Sequence, residues 1–254
     1  MSEHVTIEQD GGVLVLTLDR ADKKNALTDA MYAALADALE GAESDDAVRA
    51  VLFLGRGDMF CAGNDLGDFL SLSSQVSGAH VFRFIRALGA AGKPLVAGVQ
   101  GRGVGIGTTM LLHCDHVVLA EGTLLTTPFV TLGLVPEAAS SLLLPKRVGH
   151  ARAFAMLAMG EAMAADEALA TGLANAVVPA ANLEEEARAA AARIAALPPR
   201  AVQATKALMR DPDTILATIA AENRIFSERL ASPEAREAFT AFAEKRAPDF
   251  SRFF

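Results

Sequence analysis

Pro94-Leu95-Val96-Ala97-Gly98-Val99-Gln100-Gly101-Arg102-Gly103-Val104-Gly105-Ile106-Gly107 runs from an apolar, β-branched segment into a turn with glycine at every second position. A strand that ends in such a turn and feeds a helix leaves backbone N–H groups unpaired and pointing outward. The same arrangement stands upstream, where Val51-Leu52-Phe53-Leu54 precedes Phe60-Cys61-Ala62-Gly63-Asn64-Asp65-Leu66. Two such turns side by side can hold one developing negative charge between them, as an oxyanion-stabilising enzyme requires. The plainer alternative is that the glycines only permit close packing.

Working outward, the alternation of strand and helix signals favours an α/β core. Val5-Thr6-Ile7-Glu8-Gln9 and Val13-Leu14-Val15-Leu16-Thr17-Leu18 flank Asp10-Gly11-Gly12 and read as a β-hairpin. Thr28 is placed to cap a helix over residues 28–42, with Met31, Leu35, Ala38 and Leu39 on one face. Short strands are predicted over 48–54, 116–119 and 174–178, and short helices over 79–91 and 108–112. The Ser/Gly-rich residues 71–78 suit a mobile loop near a site. A helix over 182–197 ends at Pro198-Pro199, the sharpest break in the chain. It divides residues 1–197 from a helical segment, 198–254, whose apolar face carries Ile215, Ile219, Phe226, Leu230, Phe239 and Phe242. Such a segment docks on the core or on another subunit.

Composition removes several classes. The 254 residues are 52% apolar and 21% charged, enough for a sizeable core and unlike a disordered chain. A net charge of −8 argues against nucleic acid, which needs a concentrated basic surface. Cys61 and Cys114 lack metal-ligand spacing and read as small apolar groups, so no metal is expected. Neither a leader pattern nor an apolar run of membrane-spanning length is visible, and the cytoplasm is the default compartment.

The chemistry-bearing residues narrow the field further. A dinucleotide fingerprint fails in every register: Ile106, Thr108 and Met110 stand where its third glycine belongs. No P-loop and no nucleophile elbow of the G-x-S-x-G type occurs. His113 and His116 bracket Asp115 at a helix-to-strand junction and read as structural, while His4, His80 and His150 have no obvious partner. Glu137 lies in Leu132-Gly133-Leu134-Val135-Pro136-Glu137-Ala138-Ala139. In a pocket of that character desolvation raises a carboxyl pKa toward the range of a useful base. The alternative is a glutamate in the first turn of a helix starting near Pro136, favoured there by the macrodipole.

Together these segments resemble the crotonase superfamily, the enoyl-CoA hydratase/isomerase family, over nearly the whole chain. Leu16-Thr17-Leu18-Asp19-Arg20 followed by Asn25-Ala26-Leu27, the two glycine turns, Gly172-Leu173-Ala174-Asn175-Ala176-Val177-Val178 and residues 239–246 carry the resemblance. It implies a crotonase-like spiral of ββα units with a C-terminal α-helical trimerisation region, assembled as a homotrimer or dimer of trimers. It also implies an acyl-CoA substrate with no prosthetic group. By position, the N–H groups of Asn64 and Ile106 would form the oxyanion hole for the thioester oxygen. Such donors contribute about 3 kcal/mol each to a transition state. Lys24, Ala62, Asp65 and Leu66 match positions along the CoA path. Phe242 and Lys245 match C-terminal positions that contact CoA, and Lys23, Lys24 and Lys245 are the cations assigned to its phosphates.

Two departures direct the reading within the family. Hydratases of this kind use two glutamates to add water, and this chain has Thr109 and Phe129 in their places. Neither side chain can act as a carboxyl base. Glu137 instead matches the single glutamate of the peroxisomal-type Δ3,Δ2-enoyl-CoA isomerases, within Thr127-Pro128-Phe129…Pro136-Glu137-Ala138-Ala139-Ser140-Ser141. The expected activity is a shift of the 3-enoyl double bond to trans-2. The alternatives are a hydratase or another acyl-CoA enzyme of the same fold, with side chains such as Asp68 replacing the glutamates, and a non-catalytic acyl-CoA-binding protein.

Overall fold

The computed structural model describes residues 3–65, 67 and 80–253. Its strands are β1 (Val5–Asp10), β2 (Val13–Leu18), β3 (Ala50–Gly55), β4 (Leu95–Val99), β5 (Arg102–Val104), β6 (His116–Ala120), β7 (Leu124–Thr126), β8 (Met163–Ala164) and β9 (Ala176–Val178). Its helices are α1 (Asp29–Ser44), α2 (His80–Ala90), α3 (Ile106–Thr109), α4 (Ser140–Val148), α5 (His150–Leu157), α6 (Ala165–Ala170), α7 (Leu183–Ala195), α8 (Pro199–Met209), α9 (Pro212–Leu230) and α10 (Pro233–Ala243). The loop expected over 71–78, Asp68, Leu66 and the first residue of the helix expected from 79 lie outside the described residues.

Two sheets organise the chain. The larger has the order β1-β2-β3-β4-β6-β9, antiparallel at the first pair and parallel thereafter. The smaller is β5-β7-β8. Each turn of the chain adds one strand to the large sheet and then one rung to a second layer. Thus β4 is followed by β5 and β6 by β7, with β5 and β7 parallel. Strand β3 is followed by Cys61, which bridges Gly103, and β2 by Leu27, which bridges Asn64. This repetition is the spiral of ββα units that the resemblance implies.

The strands of the large sheet are nearly uniformly apolar because both faces are covered. One face of β2, β3, β4 and β6, with Val15, Leu52, Val96 and Val118, packs on Leu183, Ala187, Ala190 and Ala191 of α7. Gly98 lets the alanine-rich helix approach; a Cβ there would lie 2.9 Å from that of Ala187. The other face, with Leu16, Phe53, Leu95 and Val117, joins α1 and α2 in the main core. Thr28 caps α1 by accepting the Met31 N–H at 3.4 Å, and Met31, Leu35 and Leu39 are buried as the periodicity predicts.

Each of the last three helices begins with proline in its first turn, where no N–H is needed. Ile215, Ile219 and Phe226 of α9 enter the main core cluster. Buried Lys206 ties α8 to the sheet, donating to the Lys93 carbonyl at 2.7 Å and to Asp115 at 2.8 Å. Among the described residues no helix is long and apolar enough to cross a membrane.

Several expectations are corrected in detail. The strand expected over 48–54 begins at Ala50, because the Val48 N–H still closes a turn onto the Asp45 carbonyl at 3.0 Å. The strand expected over 174–178 begins at Ala176, since Asn175 closes a turn onto Val117 with both its backbone and its side chain. The short helix expected over 108–112 is an α-turn from Ile106 continued as a 3-10 turn to His113. The helix expected near Pro136 starts only at Ser140, because Ala138 and Ala139 are both left-handed, with φ of 58° and 54°. His80, His4 and His150 do have neighbours: Asp29, Glu3 and the Phe154 ring respectively.

Candidate active site

The two glycine turns lie against each other. Cys61 N–H donates to the Arg102 carbonyl at 3.2 Å and Val104 N–H returns to Cys61 at 2.9 Å. Close packing of glycines makes this possible; a Cβ at Gly107 would lie 2.8 Å from that of Cys61, and one at Gly103 would lie 2.9 Å from the Gly107 carbonyl. The glycines therefore do permit the close packing that the plainer alternative assigned to them.

In the first turn, Leu27 donates to the Gly63 carbonyl at 2.8 Å and accepts from Asp65 N–H at 2.9 Å. In this parallel bridge the Gly63 carbonyl and the Asp65 N–H face Leu27, so the Asn64 N–H faces the opposite side. In the second turn, Gly105 takes φ 56° and ψ −118°, a conformation open to glycine, and its N–H is held by Thr126 at 2.9 Å. Ile106 then opens α3, where a first-turn N–H has no intrahelical partner. Among the described residues neither the Asn64 nor the Ile106 N–H is donated to a protein acceptor.

Both residues line one cavity of about 560 Å³, together with Ala62, Asp65, Glu137 and Phe242 from the expected site. Lys23 reaches its wall, whereas Lys24 and Lys245 do not line it. The Lys24 ammonium is held by Asp58 at 2.8 Å. Asp65 is paired with Arg20 at 2.7 Å, which locks the first turn to the 20–27 segment. Asn25 completes that lock: left-handed at φ 55°, it accepts from Arg20 N–H and donates to the carbonyls of Arg56 and Met59.

Glu137 is 4% exposed, and among the described residues its carboxylate makes no hydrogen bond. Burial, and secondarily the nearby charge of Glu222, push its pKa up to about 8. The position expected for one hydratase glutamate holds buried Thr109; the other holds Phe129, which walls the cavity. Phe226 and Phe239, read from sequence as part of a face that docks on the core or on another subunit, also wall it. Their periodicity marked burial, but nothing local distinguishes a face packed on protein from one packed on a ligand.

Sequence reasoning missed three residues around this site. Tyr32 on α1 is buried and donates its hydroxyl to the Asn64 side-chain carbonyl. Burial, then the charges of Glu137 and Cys61, hold its pKa well above the usual tyrosine value, so it stays a donor. Tyr32→Phe leaves the Asn64 amide oxygen without this partner, a loss of roughly 1 kcal/mol or somewhat more. We expect turnover to fall about threefold to tenfold with KM nearly unchanged; unchanged turnover would show that the Asn64 side chain does not steady the turn. Glu222, bonded to the Ala139 N–H, and Arg210, bonded to His113, are the other two. His113 is structural as expected: it is fully buried and its Nε2–H donates to the Ala138 carbonyl at 2.7 Å. Among the described residues no cluster of three His, Cys, Asp or Glu is placed to hold a metal, and Cys61 and Cys114 are buried free thiols.

Comparison with known proteins agrees with this geometry. The family model described as enoyl-CoA hydratase/isomerase matches residues 8–252. Enoyl-CoA delta isomerase 2 of Rattus norvegicus is 36% identical over 96% of this chain, which spans 64% of that longer protein's length. The 2,3-dehydroadipyl-CoA hydratase of Escherichia coli K12 is 34% identical over 98% of this chain and 99% of its own. A crystal structure of an enoyl-CoA hydratase/isomerase from Pseudoalteromonas atlantica T6c superposes with a TM-score of 0.93 at 42% identity, covering 98% of this chain and 100% of that one. Laced glycine turns, a buried carboxyl between apolar walls and a match over almost every residue lead to one conclusion: the chain belongs to the enoyl-CoA hydratase/isomerase family of the crotonase superfamily.

Proposed function

We propose that the protein moves the double bond of a 3-enoyl-CoA to the trans-2 position, with Glu137 as the single proton-transfer group. The observation that carries this reading is one buried carboxyl sharing a cavity with two N–H groups, all three without a hydrogen-bond partner among the described residues, while both expected hydratase carboxyl positions hold Thr109 and Phe129. The ionised Glu137 takes a proton from C2. The electron pair left on C2 delocalises onto the thioester oxygen, giving a dienolate held by the Asn64 and Ile106 N–H groups. Glu137, now protonated, returns the proton to C4 as the C2–C3 double bond forms. Atoms balance without water, so one group that reaches both carbons suffices.

For CoA we assign Lys23, Lys24 and Lys245 to the phosphates, with Ala62, Asp65, Leu66 and Phe242 along its path. The paired state of Lys24 and Asp65 makes Lys23, already at the cavity wall, the cation most directly available. Incubation with 3-hexenoyl-CoA should yield 2-hexenoyl-CoA of unchanged mass. With 2-hexenoyl-CoA supplied directly, a product heavier by one water would make the protein a hydratase, and binding without turnover of either enoyl-CoA would make it a carrier.

We further infer assembly as a homotrimer or dimer of trimers. Leu208 and Met209 at the end of α8 are 89% and 83% exposed, and paired large apolar side chains in such positions suit a subunit contact. Light scattering should give the mass of three or six chains; a single 26.5 kDa species would refute the assembly.

A further inference from the structure

The segment that presents Glu137 is strained. Ala138 and Ala139, the next two residues, are both left-handed, a conformation L-residues avoid singly and rarely adopt in succession. Both alanines are fully buried. The helix that follows, α4, has no capping side chain of its own, since Ala139 occupies the cap position. Something beyond the local sequence therefore holds the turn.

Two groups do so, both tied to the C-terminal helices. Glu222 of α9 accepts the Ala139 N–H at 2.6 Å and the Ser141 N–H at 3.0 Å, and it also receives the Ser141 hydroxyl. It thus caps α4 from 83 residues away along the chain. One turn further along α9, Phe226 walls the cavity, so one face of this helix serves both the turn and the pocket. From the other side, His113 Nε2–H donates to the Ala138 carbonyl. That bond fixes the tautomer, leaving Nδ1 to accept from Arg210, which also donates to the His113 carbonyl at 2.9 Å. Burial first, and Arg210 second, hold the His113 pKa down to about 3, so the ring stays neutral and the arrangement persists across physiological pH.

We propose that Glu222 and His113 are positioning residues for Glu137, clamping the left-handed Ala138–Ala139 turn so that the carboxyl stays in the cavity. This rests on the reading of Glu137 as the proton-transfer group. The C-terminal helices are then part of the catalytic apparatus of their own chain. The titratable groups that act on or with Glu137 among the described residues are Glu222, Tyr32 and Cys61. Burial keeps Tyr32 protonated and pushes the Cys61 thiol up to about 12, which leaves Glu222 as the neighbouring negative charge.

Glu222→Gln tests the proposal because it retains an acceptor oxygen and removes the charge. With 3-hexenoyl-CoA, kcat should fall roughly tenfold to a hundredfold while KM stays within about twofold, as for a misplaced rather than a missing group. The infrared band of the protonated Glu137 carboxyl, taken as the difference between each protein and its Glu137→Gln form, should titrate with a midpoint lower than in the parent. Adding Ala139→Gly, which accepts positive φ without a Cβ penalty, should recover part of the lost kcat. A folded Glu222→Gln protein with parental kcat, or with an unmoved midpoint, overturns the proposal. Should that variant not fold, Ser141→Ala removes one donor to Glu222 and must show the kcat loss at held KM. The infrared titration needs no substrate. If no 3-enoyl-CoA is turned over, the midpoint of Ser141→Ala decides, because this variant keeps the Glu222 charge and loosens only the clamp: a lowered midpoint supports positioning and an unmoved one overturns it, separately from the proposed reaction.

Discussion

Glu137→Gln is expected to lower turnover of 3-enoyl-CoA roughly a thousandfold while leaving KM within a few-fold, because the amide fills the same volume but cannot carry the proton. The parent enzyme should show a matching pH dependence. With a Glu137 pKa of about 8, the base is mostly protonated at neutral pH. Activity limited by ionised base should therefore rise close to tenfold per unit as pH increases toward 8 and level off above it. Stability should move the opposite way. The folded carboxyl binds its proton more tightly than the unfolded one, so between about pH 4.5 and 8 the native state holds more protons. Stability then declines as pH rises through that window, by at most roughly 1.4 kcal/mol per unit, and is flat above it. Glu137→Gln removes this decline and should melt higher than the parent at pH 8.5. Retention of more than a tenth of the parental turnover would dismiss Glu137 as the proton-transfer group, whatever the melting curves show.

Ile106→Pro should lower kcat roughly a hundredfold to a thousandfold, the loss associated with one oxyanion donor, about 3 kcal/mol. Proline removes the N–H and little else of the backbone. Ile106 opens α3, the one position in a helix where proline is readily accommodated, and its N–H has no acceptor among the described residues. The side chain is buried, so some packing is lost as well, on the order of 1–2 kcal/mol of stability. Ile106→Val supplies the control: it trims the same side chain and keeps the N–H, and should retain at least a third of the parental kcat. The informative quantity is the ratio of the two variants. If Ile106→Pro works within tenfold of Ile106→Val at equal CoA-thioester affinity, this N–H does not hold the developing charge.

Much of this arrangement was legible in the amino-acid order. The runs before each glycine turn, the Thr28 cap and the α1 face are local features, decided by side chains three or four positions apart or by backbone freedom at single glycines. Glu137 stood out for the same reason, an acid among apolar neighbours. Its immediate setting did not follow. The macrodipole argument places a glutamate after proline in the first turn of a helix, but the helix begins three residues later, past two left-handed alanines. Alanine has no local preference for that conformation, so no sequence signal announces it.

What the chain order carried alone is the resemblance to the family, the spiral of strands and turns, and one acid, Glu137, set among apolar neighbours. These rest on contacts close in sequence or on patterns that recur every few residues. What folding added is the setting of that acid. Glu222 lies 85 positions after Glu137, Tyr32 lies 105 before it, and His113 is fastened by Arg210 from 97 positions away. The pKa of a carboxyl and the direction it faces are set by desolvation and by partners brought together from distant segments, and neither exists until the chain has closed around them.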